Sequence, residues 1–181
     1  MRAAPALLCA AALAACSSSQ PQSDWERSNP AQLGTAKTER LPTPPAAPRK
    51  ENLIEFYVGP TATFRYFIDA ASLSVFYAQK EVRYVLVARS PSGVENVSFE
   101  AIRCPDAYRI FAVGDGSGKW TERAGAWQPI QSRTGLGWPG VLSRDYFCPH
   151  RDTLQSAAEG IDALRQGGHP LVRTEQKNVG R

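Results

Sequence analysis

Through most of the folded part of this chain, apolar residues recur at every second position. The longest such stretch runs from Val82 to Cys104, VRYVLVARSPSGVENVSFEAIRC, as two alternating runs separated by Ser90-Pro91-Ser92-Gly93. Val82, Tyr84, Leu86 and Ala88 fall on one side of the first run, and Val97, Phe99 and Ala101 on one side of the second. A period of two is that of a half-buried strand, and a break of turn-forming residues between two such runs predicts a β-hairpin. Further strands are expected at Leu53 to Val58, closed by Gly59-Pro60, at Phe64 to Asp69, and at Ser72 to Phe76. Tyr108 to Val113 alternates again and enters Gly114-Asp115-Gly116-Ser117-Gly118, then Lys119-Trp120-Thr121. Those turn residues accept positive φ, which predicts another hairpin. Trp127 to Ile130 reads as a last edge strand, kept short by Pro129.

After that the period changes. Pro139 to Phe147 predicts a short helix with Pro139 in its first turn, and Asp152-Thr153-Leu154-Gln155 reads as a capping-box variant opening a second. Leu154, Ala157, Ala158, Ile161 and Leu164 form one stripe at spacings of three and four, and Gly167-Gly168 with Pro170 ends the helix. Strands first and helices last, without alternation between them, predict an α+β domain: an antiparallel β-sheet with C-terminal helices packed on one face.

The two ends carry other patterns. Arg2 precedes a short apolar run from Ala3 to Ala12, and Leu13-Ala14-Ala15-Cys16 follows directly. This resembles a bacterial lipobox, which implies that residues 1–15 are a signal peptide and that Cys16 carries the lipid. The alternative is an ordinary Ala-rich secretory signal; the run is shorter than the ~20 residues a membrane span needs. Ser17 after the cysteine resembles the sorting pattern of outer-membrane lipoproteins, so the expected location is the outer membrane, facing the periplasm, with surface exposure as the alternative. Residues 16–50 are rich in Ser, Pro, Gln and Ala and poor in branched apolar residues, which predicts a flexible tether. Trp25, between Asp24 and Glu26, is its one candidate for docking. A single domain is expected over residues 51–170, and a loose tail over 171–181.

Composition narrows the function classes. The 181 residues, 43% of them hydrophobic, support one core once the ends are set aside, and a net charge of +4 with both signs interspersed is too weak to argue a nucleic-acid partner. Of the four cysteines, Cys9 leaves with the signal and Cys16 is used by lipid. Cys104 and Cys148 remain in an oxidising compartment, where a disulfide is expected; a redox pair or metal ligands are the alternatives, and no C-x-x-C is present.

Candidate chemistry is sparse. Gly114 to Lys119, GDGSGK, departs from a phosphate loop because its last glycine comes one residue early and Trp120 stands where Ser or Thr would hold magnesium. His150 and His169 are the only histidines, and the chain has no HExxH and no GxSxG. Asp69 and Asp145 read as turn or capping residues. No catalytic residue, metal ligand or cofactor is therefore nominated. Arg65, Arg83 and Arg89, with Arg103, are expected to line a sheet face, and Trp120 and Trp127, with Trp138, to form an aromatic platform. Arg and Trp are enriched at binding hot spots, which makes Arg65, Arg83, Arg89, Trp120 and Trp127 the candidate partner-binding residues.

Several blocks together resemble the cryptic neisserial protein 1-like family of bacterial envelope proteins: ENLIEF from Glu51, FIDAASLSV from Phe67, the whole hairpin Val82 to Cys104, YRIFAVG from Tyr108, WQPIQS from Trp127, DYFCP from Asp145 and IDALRQGGHP from Ile161. The resemblance implies an envelope setting and carries over no catalytic residues. A looser similarity is to the surface-adhesin protein E family, confined to the order of a YFID-like strand, a cysteine-ended strand, a tryptophan and a late cysteine. The expected function is a lipid-anchored, non-enzymatic binding or structural module of the envelope. Its expected partners are the membrane through Cys16 and an envelope protein, peptidoglycan or a host surface molecule. A periplasmic hydrolase of cell-wall material and a surface adhesin are the alternatives.

If Cys16 carries the lipid, the protein takes up labelled palmitate and fractionates with the outer membrane, and Cys16→Ser abolishes both. A Cys16→Ser protein that remained in that fraction, beside an unlabelled parent, would exclude the assignment.

Overall fold

The computed structural model describes residues 40–130 and 137–173. Among them, eight strands form one antiparallel sheet: β1 (Leu53–Phe56), β2 (Arg65–Asp69), β3 (Ser74–Phe76), β4 (Glu81–Arg89), β5 (Glu95–Arg103), β6 (Ala107–Gly114), β7 (Trp120–Glu122) and β8 (Gln128–Pro129). The order across the sheet is β1-β2-β4-β5-β6-β7, with β3 also on β4 and β8 also on β6. The hairpin expected from the alternation is the centre: β4 and β5 pair in unbroken register from Glu81↔Arg103 to Arg89↔Glu95. Gly93, at φ 86°, closes its turn and donates to Ser90 O at 3.0 Å.

Alternation along these strands divides the sheet into two buried faces. Val82, Tyr84 and Leu86 of β4, with Ile68 and Ile102, join one core cluster, whereas Val85 and Val87, with Phe67, Val97, Phe99 and Ala101, join a second. At β6 the alternation slips. Phe99 faces Ala112 while Glu100 faces Ile110, so Phe111 is the extra residue of a β-bulge. Phe111 and Ala112, neighbours in sequence, consequently both enter the second cluster.

Few and short helices follow the strands. α1 (Trp138–Val141) has Pro139 in its first turn and runs on into a wider π-helical stretch, Leu142–Phe147, where the N–H of Cys148 reaches Ser143 O at 3.0 Å. The second expected helix starts later than Asp152. The Asp152 carboxylate accepts the N–H of Thr153 at 2.9 Å and meets Lys80 Nζ at 3.2 Å, so it caps a turn instead. α2 (Ala157–Arg165) is opened by Ser156, whose hydroxyl accepts the N–H of Glu159, while Glu159 reaches back to the N–H of Gln155. Leu154 therefore packs from the loop before the helix, and Gly160, Ala163 and Leu164, not Ala158, form its buried face. Val141, Leu142, Phe147, Ala163 and Leu164 all belong to the first cluster.

The second cluster is covered differently. Leu41 packs against it, Trp120 Nε1 donates to Pro45 O at 2.9 Å, and a Cβ on Gly118 would stand 3.6 Å from the Ala47 side chain. Residues expected as the end of a tether thus form a strap over the sheet, since an extended proline-rich backbone has free carbonyls to offer a tryptophan N–H. Gly114 makes room for the Trp120 ring: a Cβ there would lie 3.1 Å from it. The signal segment, Cys16, Trp25 and the rest of the tether lie outside the described residues, as do 174–181. Within the expected tail, Arg173 Nη1 still donates to Gln166 O at 2.8 Å.

Cys104, after β5, and Cys148, after the π-helical stretch, are disulfide-bonded with Cα atoms 5.5 Å apart. The bond spans 44 positions. Closing a loop of that size is worth about 4 kcal/mol in the chain-entropy treatment, a large share of a small domain's stability. Cys104→Ala with Cys148→Ala should therefore lower the urea unfolding free energy by about 4 kcal/mol. A loss below about 1 kcal/mol would mean that the first cluster holds the helical stretch without the bond.

Candidate functional site

The first cluster, which holds Val141, Leu142, Phe147, Ala163 and Leu164, involves only part of the length of β2, β4 and β5. Farther along the same strands, toward the β4–β5 turn, Tyr66, Leu86, Ala88, Ser98, Ile110 and Val113 line an open groove of about 510 Å³, bordered by Phe64, Trp138 and Arg123. Its walls follow from strand pairing: Tyr66 is opposite Ala88, which is opposite Asn96, and Leu86 is opposite Ser98, which is opposite Val113. The bulge at Phe111 lets both Ile110 and Val113 face this side, three residues apart.

At the inner end of the groove lies Glu100, 1% exposed. Its carboxylate accepts Trp138 Nε1–H at 2.9 Å, Tyr84 O–H at 3.2 Å and Ser98 O–H at 2.6 Å. One carboxyl thus ties β4, β5 and the first residue of α1 together. The indole it holds stacks on Tyr66, 5.9 Å between ring centres and 21° from parallel, which builds an aromatic side wall. Burial pushes the Glu100 pKa above the ordinary carboxylate value; the hydrogen bonds from Ser98, Trp138 and Tyr84 pull the other way without cancelling it. Burial, and then the charge of Glu100, also raise the phenols of Tyr84, Tyr66 and Tyr108.

The partner-binding residues expected from sequence fall elsewhere, on the side of the second cluster. Arg65 and Arg89 are opposite each other on β2 and β4 and lie over the Phe67 ring at 5.4 and 4.6 Å. Each also pairs with a carboxylate, Arg65 with Glu55 at 2.8 Å and Arg89 with Glu95 at 2.7 Å. Arg83 lies 4.0 Å above Phe76 and shares the buried Glu81 with Arg103, at 2.5 and 3.1 Å. Trp127 is 2% exposed, with its ring packed against Phe111 and under the Arg103 guanidinium at 3.9 Å. It is a core residue, and not part of a surface platform. Trp120 is half-buried beneath the strap, and Trp138 is at the groove. The three tryptophans therefore do not come together, and only Arg65 of the nominated residues has a largely exposed side chain, at 63%.

The remaining candidates are accounted for locally. Asp115 Oδ1 accepts the N–H groups of Ser117 and Lys119, so GDGSGK is a turn held by its own aspartate. His169 is buried, its ring bonded to Glu159 at 3.0 Å and to the N–H of Leu171. Asp145 pairs with Arg144 at 2.6 Å. Asp69 is 4% exposed, and burial raises its pKa. No group of three or more potential metal ligands comes together among the described residues.

The model of the CNP1-like family matches residues 34–165, a span that holds the strap, both disulfide cysteines and every residue of the groove. The chain belongs to the CNP1-like family. No curated protein and no solved structure matches it. Within this CNP1-like domain, the groove can offer an apolar bed, one aromatic wall and a carboxyl whose strong acceptor sites are already used. Glu95, the other carboxylate at the groove, is engaged by Arg89, so the two acids do not form a paired arrangement across a bond.

Sequence reasoning missed Glu100 because Val97, Phe99 and Ala101 mark β5 as half-buried and place Glu100 on the wet side. The signal that finds it is the neighbouring strand. Tyr84-Val85-Leu86-Val87 is apolar at consecutive positions, which means both faces of β4, and hence of its partner, are covered.

A group whose folded pKa is raised makes the folded state bind more protons than the unfolded state above the unfolded pKa, so its contribution to stability falls as pH rises from about 4.5. Glu100→Gln keeps an acceptor for Trp138 and removes the titration. Its unfolding free energy relative to the parent should therefore rise between pH 5 and pH 7.5, whereas Glu100→Leu, which orphans the Trp138 and Tyr84 donors, should cost roughly 2 kcal/mol or more at both. A parent-to-Gln difference that does not vary with pH would remove Glu100 as a titrating group.

Proposed function

We propose that this protein is a lipid-anchored binding module of the bacterial envelope and that it holds a component of that envelope in the groove beside Glu100. The observation that carries the reading is the groove itself: an apolar cleft of about 510 Å³ whose aromatic wall is fixed in place by a buried carboxyl. A ligand site is usually a cleft of about this size, apolar with a few positioned polar groups and a perturbed titratable residue. The lipobox-like Leu13-Ala14-Ala15-Cys16, the disulfide Cys104–Cys148 and family membership support the envelope setting, with Cys16 as the lipid attachment point and the outer membrane, facing the periplasm, as the location. The Ser-, Pro- and Gln-rich composition after Cys16 supports a tethered module in this reading. Packing of the helices on a single face of the sheet belongs to the same reading, since it leaves the groove as the uncovered remainder of that face. An envelope protein, peptidoglycan or a host surface molecule are the classes in which the bound component falls if it is macromolecular.

The test is in-cell photocrosslinking from position 96, since Asn96 lines the groove and is exposed. The reading requires an adduct that disappears when Ala88→Phe fills the groove, with thermal unfolding of the variant within a few degrees of the parent. An adduct indifferent to Ala88→Phe would overturn the groove as the binding site.

A further inference from the structure

The groove's polar inventory restricts what enters it. The hydroxyls of Ser98 and Tyr84 and the indole N–H of Trp138 are all given to Glu100, which leaves the Tyr66 hydroxyl and, at the exposed rim, the Asn96 amide as the uncharged polar side-chain groups on offer. Backbone groups of the strands beneath are engaged in the sheet ladders. A sugar brings several hydroxyls and a peptide brings an amide at every residue; inside a cleft each needs a partner, and one without costs more than it gains. The groove bed instead matches a ligand without hydrogen-bonding groups along its length.

Charge then fixes one end. Besides the Tyr66 phenol, three ionisable side chains line the groove: Glu95, Glu100 and Arg123. Glu95 is paired with Arg89 at 2.7 Å. Glu100 is buried, and its carboxyl oxygens are taken up by Ser98, Tyr84 and Trp138. Arg123 is exposed and has no carboxylate partner among the described residues; its backbone N–H is fixed to Phe111 O at 2.7 Å, next to the bulge. An unpaired guanidinium at the border of an apolar cleft offers two parallel N–H donors to a carboxylate.

We propose that the groove binds a fatty acid, its acyl chain along Tyr66, Leu86, Ala88 and Val113 and its carboxylate at Arg123. This rests on the reading of the groove as the binding site and names the chemistry of what it holds. The acyl chain lies against the Tyr66–Trp138 wall, and the carboxylate stays at the exposed border where water completes its hydration. An alcohol of the same length fills the same bed but leaves Arg123 unanswered, and an alkylammonium ion is repelled there.

The experiment uses the full chain carrying Cys16→Ser, so that no attached acyl group competes, with its disulfide intact. Binding of decanoate, decanol and decylammonium at pH 7 is compared by titration calorimetry. Decanoate should bind saturably with one site per chain and at least about tenfold more tightly than either control, as expected for one charge-assisted pair. Arg123→Gln should weaken decanoate about tenfold while leaving decanol unchanged, and Ala88→Phe should weaken all that bind. Absence of saturable decanoate binding, decanoate and decanol that bind alike, or decanoate binding indifferent to Arg123→Gln would each overturn the proposal. If decanoate fails while the position-96 adduct still forms and is lost with Ala88→Phe, the groove remains the binding site and only the fatty-acid assignment falls. If the adduct is also indifferent to Ala88→Phe, both fall together.

Discussion

A sheet six strands wide, buried on both faces at its centre, sets the terms for everything else in this domain. From Val82 to Val87 every β4 side chain but Arg83 is buried, so neither side can be left to water. Two short helices cannot cover two faces. In the first cluster the π-helical stretch and α2 contribute Leu142, Phe147, Ala163 and Leu164, and the disulfide pins the π-helical stretch to the end of β5. Among the described residues, none from a helix belongs to the second cluster. The cover is made from the strap, Trp127 and a set of arginine side chains laid flat over Phe67, Phe76, Phe111 and Trp127. Arginine suits this task because its stem and planar head cover apolar surface while the charge keeps contact with ring faces and carboxylates.

That arrangement explains why residues rich in binding potential on paper are occupied in the fold. Glu55, Glu81 and Glu95 each answer an arginine, and Glu81, 1% exposed, answers two. A partner approaching this face would have to break ion pairs and displace stacked guanidinium groups before making any contact of its own. The groove on the opposite side asks for no such exchange. Its buried carboxyl is already satisfied by Ser98, Tyr84 and Trp138, and its apolar bed is open.

How much of this was legible in the sequence depends on the range over which each signal acts. The central hairpin was legible because its period of two and its turn chemistry are local, and pairing then follows residue by residue from Glu81↔Arg103. Cys104 and Cys148 were legible as a disulfide because the expected loss of Cys9 and lipidation of Cys16 leave these two cysteines in an expected oxidising compartment. The start of α2 was misplaced by four residues or so, since Asp152 and Ser156 are both competent caps and only Ser156 has Glu159 three positions on. Trp127 and the strap were not legible, because their environment is made by strands far away in sequence: Trp120, which bonds to Pro45, is 75 positions from it. Glu100 was hidden for the same reason. Its partners Tyr84 and Trp138 come from 16 and 38 positions away.

Glu100 also marks the seam at which the covered half of its face gives way to the groove, which couples the stability of the fold to the shape of the site. The disulfide holds the helical stretch at Cys148, and Trp138 begins that same stretch. The bulge at Phe111 is the other half of the coupling. By placing Phe111 and Ala112 together in the second cluster it turns Val113 back toward the groove, so that the same β6 strand packs one core and lines the site beside the other. A strand without the extra residue would present Ala112 to the groove and Val113 to the arginine side, widening the one and crowding the other. The irregular position in β6 is therefore what allows two clusters of such different construction, one completed by helical residues and one by stacked arginines, to share a single sheet while Ile110 and Val113 still line the groove.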